Sequence, residues 1–395
     1  MAEALGVGMV GYAFMGAAHS QAWRTAPHAF DLPLRPVLAA LCGRDRAATE
    51  AAAQRYGFAS AETDWRALLE RDDVQLIDVC TPGDSHAEIS VAALEAGKHV
   101  LCEKPLANTL AQAEAMAAAA ARAQARGIRS MIGFNYRRVP ALALARELIA
   151  GGRVGDIRHV RASYLQDWLT DPAFPLTWRL QKEHAGSGAL GDLGSHIVDL
   201  AQYLTGQLIA GVSAVTATFV PERPRPGGPP GATGPVTVDD AVAFTGRLES
   251  GALASFEATR LATGRKNALR IEVNGALGSL AFDLERLNEL EFADSAGSSG
   301  TGSSGTGSSG TGDPLTQGFR RILVTEPGHP YLSAWWPPGH VLGWEHTFTH
   351  EVRDLVTAIA KGTDPEPSFA DGLQVQHVLE AVSASAATGS RWTPV

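Results

Sequence analysis

Through the first third of the chain, short apolar runs at about 5–11, 35–42, 75–80, 98–102 and 129–133 alternate with helical patterns. Those helices are expected at about 15–26, 46–56, 64–70, 85–96 and 109–126. Runs this short, separated by helices, mark βαβ units, whose strands pair in parallel and are covered on both faces. The last helix is Ala-rich from Ala111 to Ala125, a composition with high intrinsic helix propensity, and Asp84-Ser85 and Asn108-Thr109 supply cap residues. A doubly wound α/β domain of Rossmann type is therefore expected over residues 1–134.

The pattern then changes. After a helix at about 139–150, a strand at about 157–168 and a helix at about 190–205 come runs rich in β-branched residues. They lie at about 211–220, 236–248, 252–261, 268–274 and 277–283. Strands following one another with few helices predict a second, large and mostly antiparallel sheet, so residues 135–395 read as an α+β domain. Two helices, near 345–361 and 371–388, close the chain, and the tail 391–395 could add a strand or pack across the first. Residues 221–235 contain Pro-Arg-Pro-Gly-Gly-Pro-Pro-Gly, which can join neither a helix nor a central strand. Residues 298–312 are three copies of Ser-Ser-Gly-Thr-Gly, expected to be a flexible insertion.

Charge and composition narrow the function. With 33 basic and 42 acidic side chains the formal charge is −9, and no basic run exceeds the pairs Arg137-Arg138 and Arg320-Arg321. That leaves no electrostatic footprint for nucleic acid or an anionic membrane, and no apolar stretch approaches the ~18 residues of a membrane span. Glu3 stands where an export signal wants positive charge, and the three cysteines, Cys42, Cys80 and Cys102, form no Cys-x-x-Cys pair. A cytoplasmic protein with buried free thiols and no metal centre is expected. Glycine is in excess, 42 of 395 residues against a usual ~7%, and some of it has a chemical reason.

Gly11-Tyr12-Ala13-Phe14-Met15-Gly16 follows the first strand and opens the first helix. It fits the dinucleotide turn G-x-G-x-x-G with Ala13 at the second glycine position. The first glycine permits the turn, the last lets helix pack on strand, and the helix N-terminus offers amides to a pyrophosphate. After the second strand, Gly43 stands where an acid would read the ribose of NAD, and Arg44 favours the extra phosphate of NADP, while Asp45 argues the other way. Thr81-Pro82-Gly83-Asp84-Ser85-His86 and Cys102-Glu103-Lys104-Pro105 follow the fourth and fifth strands, at the carboxyl edge where such sheets bind ligands. Lys104 there can hold a substrate hydroxyl by a charge-assisted hydrogen bond. Asp192 and His196 are four apart, so on a helix they share a face. His196 is a natural general base and Asp192 can raise its basicity or grip a neighbouring hydroxyl; the plainer alternative is a helix N-terminal acid beside a packed histidine.

Together, the turn at 11–16, Thr81-Pro82 with His86, Glu103-Lys104-Pro105 and Asp192-x-x-x-His196 resemble the Gfo/Idh/MocA family of NAD(P)-dependent sugar and cyclitol oxidoreductases, in the family order and over essentially the whole chain. Residues 164–168, Trp178-Arg179, 185–192, 221–224 and 258–260 look like a branch of sugar 3-dehydrogenases. The resemblance implies that Lys104 and His196 act on the substrate hydroxyl, with His196 as base and Asp192 orienting substrate. It implies that Gly11, Phe14, Met15 and Gly16 line the pyrophosphate, with Ala13 beside them a departure from the family's glycine, that Thr81, Pro82 and His86 line the nicotinamide side, and that Glu103 lines the cofactor cleft. It further implies a cis Lys104-Pro105 peptide, NAD in that branch, and an open second sheet through which a homodimer or homotetramer pairs. Tyr136, Arg137, Gln166, Trp168, Trp178 and Arg179 are the expected substrate residues, with Trp335 and Trp336 in a flap. The expected reaction is hydride transfer from a secondary ring hydroxyl, at carbon 3 in that branch, of a sugar, anhydrosugar, glycoside or inositol. The alternatives are an enzyme that retains its nicotinamide while cleaving a glycoside or eliminating water, and a non-catalytic cofactor-binding regulator.

Overall fold

A computed structural model describes residues 3–294 and 317–395; the Ser-Ser-Gly-Thr-Gly repeat at 298–312 lies outside the described residues. The first sheet holds six parallel strands: β1 (Glu3–Val10), β2 (Leu34–Cys42), β3 (Ser60–Glu62), β4 (Leu76–Val79), β5 (His99–Cys102) and β6 (Ser130–Ile132). Their order is β3-β2-β1-β4-β5-β6. Helices α1 (Phe14–Ala29), α2 (Arg46–Tyr56), α3 (Trp65–Leu69), α4 (His86–Glu95) and α5 (Leu110–Gln124) connect them. Every residue of β4 is buried, as expected of a strand covered on both faces. Asp45, Asp64 and Thr109 cap α2, α3 and α5 through side-chain oxygens.

The second half begins with α6 (Pro140–Ala150), β7 (Ile157–Leu165), the short α7 (Lys182–Ala185), α8 (Ser195–Thr205) and β8 (Ile209–Ala217). It continues through β9 (Glu222–Pro224), β10 (Thr233–Pro235), β11 (Ala241–Leu248), β12 (Leu253–Thr259), β13 (Ala268–Gly275), β14 (Gly278–Asp283), β15 (Glu289–Asp294) and β16 (Arg320–Leu323). Helices α9 (His346–Lys361) and α10 (Phe369–Ala387) and the terminal β17 (Thr393–Pro394) complete it. Among the described residues nine strands form one sheet in the order β16-β15-β14-β13-β7-β12-β11-β8-β17, antiparallel except for β7 with β12. Buried and exposed positions alternate strictly along β11, so one face meets the core and the other faces solvent.

Several elements depart from the sequence pattern. β3, β15 and β16 are edge or near-edge strands too short to announce themselves, and the Pro-rich stretch forms the small β9–β10 hairpin apart from both sheets. The strand expected from residue 236 starts only at Ala241, because Val236 and Val238 join a satellite cluster with Leu169, Leu176 and Leu180. The tail does add a strand, with Thr393 beside Val212 of β8. Helix α9 lies on the first domain: Phe348, Val352, Leu355 and Val356 share a buried cluster with Val7, Met9 and Trp23. No helix among the described residues is long and apolar enough to cross a membrane.

Candidate active site

The dinucleotide turn is built from backbone requirements. Gly11 has φ +98°, a region that side chains rarely adopt, and a Cβ on Gly16 would sit 2.2 Å from the Gly11 carbonyl oxygen. Helix α1 then starts at Phe14 with Ala13 at its N-cap and no side-chain cap. Its first amides are thus left for a ligand, and they fit a dinucleotide pyrophosphate. Ala13, Phe14 and Met15 line a cleft of about 630 Å³ between the sheets, while Gly11 and Gly16 shape the turn from outside its wall. At the end of β2, Gly43 packs under Tyr12, where a Cβ would meet the ring at 2.1 Å, and Arg44 is exposed. Asp45 points away, accepting the Ala48 amide at 2.8 Å as the cap of α2.

The ends of β4 and β5 form the next wall. Both ring nitrogens of His86 face carbonyl oxygens, Thr81 at 2.9 Å and Pro105 at 3.0 Å, which only the doubly protonated ring can satisfy. Burial alone would lower its pKa, but the Cys102 sulfur and these carbonyls raise it to about 9. Glu103 is clamped from beneath: His19 of α1 bridges it at 2.9 Å to Asp78 of β4 at 3.0 Å, and Trp23 donates to the same Asp78. The expected cis peptide is present at Lys104-Pro105.

Lys104 reaches across to the second half, donating to the carbonyl of Asp192 at 2.9 Å and to its carboxylate at 3.1 Å. Asp192 lies in a π turn, Leu190–Gly194, that runs straight into α8. A wide turn there re-aims side chains, as π turns at functional sites do. Asp239 fixes the start of this turn, its two carboxylate oxygens each accepting at 2.7 Å from the amides of Gly188 and Leu190. Burial would raise the Asp192 carboxyl, but Lys104 and Arg260, whose Nη1 lies 3.8 Å from it, hold it down at about 2. His196, in the first turn of α8, packs against Tyr136 with ring centres 4.7 Å apart and has no hydrogen-bond partner among the described residues. Burial first, and the Lys104 charge second, keep its pKa well below 6.5, so it is a neutral imidazole open to the cleft.

The far wall comes from β7 and the strands beside it. Trp168 donates to Gln166 at 2.8 Å, Gln166 to Asn267 at 2.8 Å and Tyr164 to the same Asn267 oxygen at 2.7 Å; the Tyr136 and Tyr164 hydroxyls are 2.9 Å apart. Trp178 and Arg179 stack on each other at the rim, with 4.3 Å from guanidinium to ring. Tyr136, Gln166, Trp168, Trp178 and Arg179 all line the cleft with Lys104, Asp192, His196, Thr81, Pro82, His86 and Glu103. Arg137 does not: it turns into the protein and pairs with Asp199 at 2.6 Å and Asp371 at 3.3 Å. The flap expected at Trp335-Trp336 is also displaced, since Trp335 packs on Phe30, His346 and His350. Trp344 stands at the cleft instead, stacked on Phe14 at 5.5 Å. Sequence reasoning missed Tyr164, Asn267, Arg260, Asp239 and Trp344 as site residues. Only Tyr164 and Arg260 carried a signal, through their place in the branch-like segments.

A parallel dinucleotide sheet whose first helix is uncapped, with a lysine, a carboxylate and a neutral histidine gathered at its carboxyl edge, defines an NAD(P)-dependent oxidoreductase. The chain belongs to the Gfo/Idh/MocA family: residues 5–129 match the model described as oxidoreductase family, NAD-binding Rossmann fold, and residues 142–281 match the GFO/IDH/MocA C-terminal domain. It is 41% identical to levoglucosan dehydrogenase of Pseudarthrobacter phenanthrenivorans, over 99% of this chain and 98% of that one. The crystal structure of an oxidoreductase domain protein from Kribbella flavida is 65% identical with TM-score 0.93, covering 100% of this chain and 99% of that one. Levoglucosan dehydrogenase in complex with NADH and levoglucosan is 41% identical with TM-score 0.91, both chains being covered in full.

Proposed function

We propose that the protein oxidises a secondary hydroxyl, at carbon 3, of a sugar or anhydrosugar ring of the levoglucosan type, with NAD as acceptor. The observation that carries this reading is the convergence of Lys104, Asp192 and His196 beneath the dinucleotide turn, in a cleft walled by aromatic rings and amides. When bound, NAD supplies the hydride acceptor. Two of the three Lys104 ammonium protons are taken by Asp192, which leaves the third for the oxygen of the reacting hydroxyl. His196, neutral and with no hydrogen-bond partner among the described residues, takes the hydroxyl proton as the carbon–hydrogen bond breaks. Asp192, anchored by Lys104 and Arg260, orients the ring through a neighbouring hydroxyl. Trp168 and Trp178 supply apolar faces for the ring's carbon–hydrogen edges.

NAD is preferred to NADP in this reading, supported by the family description and by the NADH held by the levoglucosan dehydrogenase structure. The basic Arg44 argues the other way, and the relative affinities of the two cofactors decide it. Copies of the chain are taken to pair across the open face of the nine-stranded sheet, where Arg161 and Arg270 lie beside Glu257 and Glu272. The direct test of the activity is turnover. Levoglucosan, hexoses, glycosides and inositols are incubated with NAD or NADP, and appearance of reduced cofactor with levoglucosan or a hexose supports the proposal. Cofactor binding without turnover across the panel refutes it.

A further inference from the structure

The hydrogen bonds along the far wall of the cleft have a direction that the heavy atoms alone decide. An indole N–H can only donate. Trp168 Nε1 meets the Gln166 side chain at 2.8 Å, so Gln166 must turn its oxygen to the indole and its amide nitrogen to Asn267. Asn267 must then answer with its oxygen, because the reverse placement would oppose two donors. Tyr164 also contacts that oxygen, at 2.7 Å, and so spends its one proton there. The remaining 2.9 Å contact between Tyr136 and Tyr164 can be made only if Tyr136 donates. Tyr164 stays protonated to do this, since burial and the neighbouring Tyr136 push its hydroxyl well above the ordinary range.

We propose that the indole N–H of Trp168 sets the direction of this chain and thereby makes Tyr136 a hydrogen-bond acceptor toward the cleft, so that the site selects rings carrying a second hydroxyl beside the one that is oxidised. Tyr136 is nearly fully buried, lines the cleft and packs against His196, so its free lone pairs lie next to the reacting position. A hydroxyl there gives its proton to Tyr136. An ether or carbonyl oxygen would meet a second acceptor, and a deoxy carbon would leave the phenol oxygen unpaired, each at the cost of a buried hydrogen bond. The amide nitrogen of Asn267, its oxygen doubly engaged, completes the selection as a donor. Gln166, Tyr164 and the indole N–H of Trp168 act through Tyr136, whereas the ring face of Trp168 and the amide nitrogen of Asn267 also meet the sugar directly.

The selectivity rests on the sugar-oxidising reading above; the direction of the chain does not, and the experiment separates the two. Neutron diffraction from the deuterated protein is expected to place the Tyr136 deuterium between the two phenol oxygens and the Gln166 amide deuterium toward Asn267. A Tyr136 deuterium pointing into the cleft would overturn the proposal. In kinetics with NAD, kcat/KM for levoglucosan is expected to exceed that for its 2-deoxy or its 4-deoxy analogue by roughly 100-fold or more. Trp168→Phe, which keeps the ring and removes the N–H, is expected to shrink that ratio to within about tenfold with NAD affinity unchanged. Equal kcat/KM for the parent and both analogues, or an undiminished ratio in Trp168→Phe, would overturn it. If the wild-type protein oxidises none of the sugars, the substrate reading falls alone, because the deuterium positions decide the direction without any substrate.

Discussion

His196 owes its chemistry to what surrounds it. Burial and the nearby Lys104 ammonium both disfavour the imidazolium, so the base form persists to a pH well below 6.5. The acid limb of kcat/KM is therefore expected below that value, and Lys104→Met, which removes one of the two causes, should move it upward even as activity falls. His196→Asn should lower kcat by roughly 10²–10⁴-fold while NAD binding is retained. Arg137 provides the contrast. Its position after Tyr136 suggests a cleft residue, but the 3₁₀ turn Asn135–Arg138 sends it into the core, where it pairs with Asp199 and lies over Tyr203. Removing one partner of a buried pair costs about 3–5 kcal/mol. Arg137→Ala should thus lower the denaturation midpoint sharply and leave the sugar KM unchanged below the unfolding range. An altered KM with unaltered stability would return Arg137 to the cleft.

At the scale of elements, what the sequence pattern reveals follows how local the cause is. The dinucleotide turn, the Lys104 motif and the Asp192–His196 pair are each written within a few residues, and they lie where the pattern puts them. The π turn is not legible, because it depends on Asp239, almost fifty residues away, to grip its first amides. Asn267 and Trp344 are equally silent: one is a strand-edge amide that matters only through its neighbours on β7, the other an aromatic indistinguishable in sequence from core packing. His86 belongs here too, since it staples the loop after β4 to the loop after β5. Its folded pKa, about 9, lies above its ordinary 6.5, so the staple contributes fully below pH 6.5 and is lost as pH rises through 9. The difference in denaturant midpoint between the wild-type protein and His86→Gln should be largest below pH 6.5, shrink above it and close as pH passes 9. A pH-independent difference would mean that the ring holds the loops as a neutral group.

For the molecule as a whole, the two sheets do different work. The first holds the cofactor turn and the lysine, and the second carries the far wall of the cleft on its inner side and presents an open outer side. If copies pair across that outer face, light scattering should give a mass of two or four chains, and Val215→Asp, at a position 56% exposed on β8, should shift it toward one. A monomeric wild-type protein would refute that pairing.

The placement of α9 also sets a timetable. Its four apolar side chains in the first core, Phe348, Val352, Leu355 and Val356, contribute about 6–12 kcal/mol at roughly 1.5–3 kcal/mol each. That equals the whole stability of an ordinary domain, about 5–15 kcal/mol. A fragment ending at residue 340 should therefore expose Val7, Met9 and Trp23 and fail to unfold cooperatively on heating. On the ribosome, the half that is made first must wait, unfinished, until Lys361 has left the exit tunnel.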